Sequence, residues 1–345
     1  MKKNHYILKI TFSILSLTVL TDFISCTKKS ERENTVVVYT YDSFAGEWGP
    51  GAKMAELFKE KTGLTVNFVD CGDAVQAFNR AVLEKDSPNA DIVLGIDNNL
   101  ADEAKKSELF ISYIPKEASN LVSEDLVNDL GGSWILTPFD YSHFAIIYDT
   151  ASSIPEPEHL SDLTKDIYRK KIILMDPRTS TPGLGFLAWT VSEWPETYNE
   201  YWEALKPNIL TMTPGWSAGW GMFLAGEAPL VVSYTSSPAY NVEIENDMRY
   251  KALIFSEGHV QQVEGAGILK SAQNMSGAKK FIDFLISREA QELIPLTQWM
   301  YPVNKNVRLP ESYNIAAPVP EKTLLTDSKN TNKAVEEVID ILNRR

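Results

Sequence analysis

Reactive side chains are scarce in this sequence. Its 345 residues contain two cysteines, Cys26 and Cys71, so a disulfide framework is excluded. Histidine is nearly as rare: His5, His143, His159 and His259 are scattered, and no pair has the spacing of a metal site. No G-x-x-x-x-G-K-[ST] loop is present, which excludes a P-loop ATPase. No G-x-S-x-G elbow is present either, and no Ser or Cys can be set beside a His from sequence. Positive charge is in deficit, with 33 Lys and Arg against 46 Asp and Glu, a formal charge of −13 and a pI near 4.9. Nucleic acid and anionic membrane surfaces would be repelled, so neither is an expected partner. The composition, 44% hydrophobic and 23% charged, is that of a globular protein, and the length suggests two lobes rather than one core.

What is present begins at the N-terminus. Lys2, Lys3 and Lys9 precede an apolar run, Ile10 to Leu20, that is too short for an ordinary spanning helix and has the plan of a signal peptide. It ends in Phe23-Ile24-Ser25-Cys26, a loose form of the lipobox in which a small residue stands directly before Cys. The expected product is a protein lipidated on Cys26 and held at a membrane in the periplasm or on the outer cell surface. The alternative is an ordinary secretory signal with an incidental Cys. Removal of residues 1–25 takes away three lysines and one aspartate, and the charge from −13 to −15. Residues 26–34 then carry the lipid and a polar tether. With Cys26 lipidated, Cys71 is a lone cysteine, a residue type that is more often a buried small hydrophobe than a reactive thiol.

Beyond the tether, β-branched and helical patterns alternate. Strands are expected at Thr35–Tyr41, Leu64–Asp70 and Ala90–Asp97, with helices at Gly51–Lys61 and at Ala74–Leu83, the latter with Val75, Phe78 and Val82 inward. Further strands are expected at Phe144–Asp149, Lys171–Asp176, Leu230–Tyr234 and Lys251–Phe255, and helices at Gly185–Trp194, Ala278–Leu293 and Lys333–Asn343. The order predicts an α/β protein with mostly parallel sheets covered by helices.

Clusters of aromatic and hydroxyl residues stand at the expected strand ends. Tyr39-Thr-Tyr41-Asp42-Ser43-Phe44 runs into Trp48-Gly-Pro-Gly51, a ledge on which a flat ring could stack. Asp176-Pro-Arg-Thr-Ser180-Thr181-Pro-Gly183-Leu-Gly185 joins a strand to a helix and could offer N–H groups to an anion. Gly215-Trp216-Ser217, Ser233-Tyr234-Thr235-Ser236-Ser237-Pro-Ala-Tyr240 and Trp299-Met-Tyr-Pro302 complete the set. Each alone reads equally as a core edge or a capped turn. Together they suit a flat heteroaromatic ligand that carries or lacks phosphate.

At these clusters the sequence resembles the periplasmic thiamine-binding proteins of enterobacterial type. The likeness runs over nearly all the chain after the tether and is carried by Tyr39–Phe44, Trp48–Gly51, Val93–Leu100, Pro138–Tyr141, Asp176–Gly185, Ser233–Tyr240, Phe255–His259 and Trp299–Val303. The resemblance implies a two-lobed type II periplasmic-binding-protein fold with the ligand cleft between lobes. It implies capture of thiamine, or its mono- or diphosphate, and delivery to an ABC permease and its ATPase. Thiamine is then cargo, and no cofactor and no metal is expected. The resemblance implies ligand contacts from Tyr41, Trp48, Asp73, Ala74, Ser180, Thr181, Trp216, Tyr234, Thr235, Ser236, Ser237, Tyr240 and Trp299. Ala74 departs from the pattern, which has Gly there. The fixed cation of a thiazolium suits aromatic faces, at about 0.5–2 kcal/mol per contact, and Asp73 could balance its charge or accept from the amine. Ser180 and Thr181 are expected to hold the ester phosphate.

On this basis residues 1–25 are a signal peptide, 26–34 the lipidated tether, and 35–138 with about 268–300 the first lobe. Residues 139–267 form the second lobe, and 301–345 belong to either. The chain is expected to cross between lobes near Pro138–His143 and Phe255–Gly267, and to act as a monomer. Two alternatives remain at this level. One is a thiaminase-like enzyme with Cys71 as nucleophile. The other is a binding protein for a different small ligand, such as iron or a polyamine.

Overall fold

The computed structural model describes residues 32–87 and 89–344. The expected signal peptide, Cys26 and most of the tether lie outside the described residues. In chain order the strands are β1 (Thr35–Thr40), β2 (Thr65–Asp70), β3 (Ile92–Asp97), β4 (Thr137–Asp149), β5 (Ile172–Met175), β6 (Ile209–Thr213), β7 (Leu230–Tyr234), β8 (Tyr250–Ala252), β9 (His259–Ile268), β10 (Tyr301–Pro302) and β11 (Thr323–Leu324). The helices that shape the site and its surroundings are α1 (Gly51–Thr62), α2 (Ala74–Leu83), α3 (Thr181–Glu193), α4 (Tyr198–Leu205), α5 (Trp216–Leu224), α6 (Met275–Leu285) and α7 (Ser328–Asn343).

The strands make two groups that share one member. In the first, β2, β1 and β3 run parallel, and β9 and then the start of β4 follow antiparallel. In the second, the end of β4 pairs antiparallel with β7 and β8, and β7, β5 and β6 run parallel. Thr137–His143 of β4 lie beside β9 and Phe144–Tyr148 beside β7. One 13-residue strand therefore serves both groups. The return runs between Ala252, beside the end of β4, and His259, which opens β9.

Each group has its own core. Val36, Val38, Phe44, Met54, Phe58 and Phe281 pack on the first sheet, with edge-on ring pairs such as Phe58–Phe281 at 5.5 Å. Trp189, Trp202, Phe144 and Phe186 fill the second. Both buried indoles find acceptors, Trp189 Nε1 on the Gly258 carbonyl and Trp202 Nε1 on the Thr190 hydroxyl, each at 3.0 Å. Such pairing is what allows a Trp to be fully buried.

Several elements differ from the sequence reading. Helix α3 starts at Thr181, four residues before the expected Gly185, because Pro182 fits the first helical turn, where no N–H partner is needed. The expected helix Ala278–Leu293 is two, Met275–Leu285 and Arg288–Gln291, with the second opened by an extended Ser287. In α2 the buried face is Ala74, Val75, Ala77, Phe78 and Ala81, while Val82 is exposed. The C-terminal helix α7 lies on α3 and α4, with Ala334, Val338 and Ile341 in the second core. Among the described residues no helix is long and apolar enough to cross a membrane.

Candidate functional site

The parallel strands of both groups point their C-terminal ends at one cleft, the place where α/β sheets take ligands. Tyr41 follows β1, Asp73 follows β2, Trp216 follows β6, and Tyr234 ends β7. The N-termini of α2, α3 and α5 face the same space. The cleft encloses a cavity of about 410 Å³.

Its walls are aromatic. Tyr41, Trp48, Trp216, Trp220, Tyr234, Tyr240 and Trp299 line it. Trp216 and Trp220 stack at 5.6 Å with 12° between planes, one helical turn apart on α5, and Trp216 Nε1 donates to the Ser233 hydroxyl at 2.8 Å. Tyr240 meets Trp299 edge to face at 5.3 Å. Trp299 has a left-handed backbone with φ 59°, a conformation costly for a bulky residue and typical of functional sites. Trp48 is 87% exposed, at the mouth.

Four carboxyl groups stand in the lining, those of Asp42, Glu47, Asp73 and Glu264, with no Lys, Arg or His among the described lining residues. Glu264 sits on the floor, accepting from the Tyr41 hydroxyl at 2.6 Å and from Gln262 Nε2 at 2.5 Å. Gln298 Nε2 donates to the Tyr41 hydroxyl at 2.6 Å. Burial, aided by Asp97 and Asp73, pushes the Glu264 carboxyl up to about 8. Burial likewise pushes Asp97 up to about 7. Gly95 keeps this corner open, because a Cβ there would lie 2.6 Å from the Tyr41 ring and 2.9 Å from the Ala74 methyl.

Two polar ties span the cleft. Asp73 Oδ1 accepts the Thr181 N–H at 2.9 Å and its hydroxyl at 3.0 Å. Ser217 Oγ donates to Asp42 Oδ1 at 2.9 Å. Asp73 also caps its own helix α2 through the Val75 N–H at 3.4 Å, so one carboxylate serves two helix N-termini. Burial pushes the Asp73 carboxyl up, and the bonds from Thr181 pull it back.

Of the residues expected at the site, Tyr41, Trp48, Asp73, Ala74, Thr181, Trp216, Tyr234, Ser237, Tyr240 and Trp299 line one cavity. Ser180, Thr235 and Ser236 do not. Ser180 is fully buried with its hydroxyl unpartnered, and Ser236 Oγ is bonded to Ser142 Oγ at 2.9 Å. Thr235 is fully buried, with its N–H on the His143 carbonyl at 2.9 Å. The turn expected to cradle phosphate offers its Thr181 N–H to Asp73 instead, and Pro182 has no N–H to add. Asp42 and Ser217 stand in the clusters read from sequence but not among the expected contacts, and sequence reasoning left out Glu47, Trp220, Glu264 and Gln298. A signal existed for Trp220, four residues after Trp216 on a helix.

Cys71 is half-buried and not in the lining. Burial pushes its thiol up, and Arg80, 3.8 Å away, only partly offsets this. His259 serves structure, bridging the Phe144 carbonyl and the Phe255 N–H at 2.8 Å each.

The sequence profile of bacterial extracellular solute-binding proteins matches residues 53–321. A Brucella abortus protein named thiamine-binding periplasmic protein is 40% identical over 317 residues, which are 92% of this chain and 91% of that one. The Escherichia coli (strain K12) protein of the same name is 40% identical over 291 residues, 84% of this chain and 86% of that one. A solved structure titled periplasmic thiamin binding protein superposes with a TM-score of 0.83 at 36% identity, covering 90% of this chain and 96% of the other.

Proposed function

The chain belongs to the bacterial extracellular solute-binding proteins, and from that membership we propose that it captures thiamine in the cleft and delivers it to an ABC permease. The fold is the two-lobed type II form. The observation that carries the ligand is the lining: seven aromatic rings and four carboxylates with no basic side chain. Aromatic faces attract a cation at about 0.5–2 kcal/mol per contact, and a flat heteroaromatic cation uses both the faces and the acids.

Calorimetry with thiamine tests this reading, alongside native mass spectrometry of the protein as purified to weigh any retained ligand. A polyamine would satisfy the same acids but not the ring stack. Binding of spermidine with no binding of thiamine would replace the ligand.

The finer parts of the reading have their own support. The protein acts as a monomeric binder, not an enzyme: Cys71 lies outside the cavity lining and burial disfavours its thiolate. Incubation with thiamine should return it uncleaved, and Cys71→Ser should bind as the parent does. The anchor rests on Ile24-Ser25-Cys26 after a short apolar run. Cys26→Ala should move the protein from the membrane fraction to the soluble one, and retention of an unlipidated protein at the membrane would count against it. The location is the periplasm, as for the relatives.

A further inference from the structure

Glu264 occupies a position that the ligand reading does not explain. It lies on β9, between β3 and β4, and the register sets Asp97 opposite it on one side and Asp140 opposite it on the other. Directly opposed residues share a face of the sheet, so three carboxylates form a row across three neighbouring strands. Like charges so placed destabilise a sheet. Asp140 is fully buried, and neither of its oxygens has a hydrogen-bond partner. A buried ionised carboxylate without a partner costs several kcal/mol or more, so it takes up a proton instead.

The titratable groups facing Glu264 are Tyr41 after β1, Asp97 ending β3, Asp140 on β4, Asp73 capping α2 and Tyr234 ending β7. All are acids. Gln262 donates to Glu264, and Gln298 supports it through Tyr41. Of the three carboxylates in the row, Glu264 alone reaches the cavity surface.

We propose that Glu264 is the residue that reads the positive charge of the ligand, and that it does so by exchange: the proton it holds in the empty cleft leaves for solvent as the cation arrives. The empty floor then carries less negative charge than the occupied one, whose added charge complements the cation. A neutral molecule of the same shape gains nothing from Glu264, because it gives the floor no reason to ionise. The burial-driven rise of the Glu264 carboxyl to about 8 agrees with a protonated floor at neutral pH in the empty cleft.

This inference rests on thiamine being the ligand, and the experiment separates the two. The mature protein is titrated at pH 7 by calorimetry in buffers of different ionisation enthalpy. One probe is thiamine. The other is its neutral isostere, with thiophene in place of the thiazolium. Thiamine should release a substantial fraction of one proton, and the isostere none. Glu264→Gln should abolish the release and weaken thiamine by about tenfold or more, the size expected for one charge-assisted contact, while changing the isostere little. Asp140→Asn, outside the cavity lining, should reduce the release and keep thiamine binding. Thermal melts of both variants establish that they are folded.

If the parent binds thiamine with no buffer dependence, the exchange is overturned and the ligand stands. If Glu264→Gln is folded and weakens both probes alike, the charge-reading role is overturned. If the parent does not bind thiamine, the ligand reading falls first.

Discussion

Tyr240 and Trp299 meet edge to face at 5.3 Å, although one follows β7 and the other stands just before β10. The pair closes one side of the cavity, and Trp299 holds its ring there from a left-handed backbone. A bulky residue in that conformation is strained, and glycine would not be. Ring and backbone can therefore be tested apart. Trp299→Ala should weaken thiamine by about 1–3 kcal/mol through lost stacking and cation–π contact. Trp299→Gly should lose as much affinity yet melt no lower than the Ala variant. An affinity equal to the parent's in both would remove Trp299 from the site.

Asp73 ties the two lobes and caps two helices. Asp73→Ala leaves the Val75 and Thr181 N–H groups without this acceptor. Loss of a cap costs about 0.5–2 kcal/mol, and about 1–2 °C of melting temperature accompanies each kcal/mol at this chain size. Small-angle scattering of the thiamine complex should show a larger radius for the variant than for the parent. Unchanged scattering and melting would mean that the tie holds nothing.

In sequence the turn before α3 has the pattern of a phosphate cradle. With its N–H turned to Asp73 and Ser180 buried, it is a lobe-to-lobe contact in this structure. The double change Ser180→Ala, Thr181→Ala should weaken thiamine, its monophosphate and its diphosphate by similar factors in parallel titrations. A loss confined to the phosphate esters would restore the cradle and require Asp73 to swing away when they bind.

Stability of the empty protein should depend on pH in a defined direction. Glu264 and Asp97 are raised by burial to about 8 and about 7. A raised carboxyl contributes its stability below its unfolded value and loses it as pH rises through the folded one. His143 is lowered to about 4 by burial, so its contribution is present above its ordinary 6.5 and lost as pH falls towards 4. The two effects oppose each other at lower pH, and from about 6.5 to 8 the carboxylates act alone. Melting temperature should fall over that window, and Glu264→Gln should flatten the fall. A rise over the window in the parent would contradict the buried floor.

Local pattern made much of this molecule legible. Helix α2 falls on the expected Ala74–Leu83, and β7 on Leu230–Tyr234, because each is bounded by a capping or turn residue and carries one clear period. The aromatic walls were legible because large rings after strands stand out in any sequence. The floor was not. Glu264 becomes part of a site only when β9 is laid between β3 and β4, and that register is set by tertiary packing. Thr235 and Ser236 lie outside the cavity lining for a related reason. A run of hydroxyls at a strand end does not say which of them faces the cavity, and of Ser233 to Tyr240 only Tyr234, Ser237 and Tyr240 do. The early start of α3 could have been read from Pro182.

The placement of β9 has a consequence for how the protein comes into being. The first sheet begins at residue 35, but the strand that joins β3 to β4 is His259–Ile268. A chain that emerges from its N-terminus exposes β1 to β3 long before their partner arrives, and most of the second lobe, though not its helix α7, emerges in between. Non-local pairing of this kind is slow, because the loop must close before any contact rewards it. The second lobe, whose strands β5 to β7 are close in sequence, is free to fold first. The cavity floor is thus among the last parts to take shape, and a truncated or stalled chain that stops before residue 264 lacks both Glu264 and the Trp299 wall.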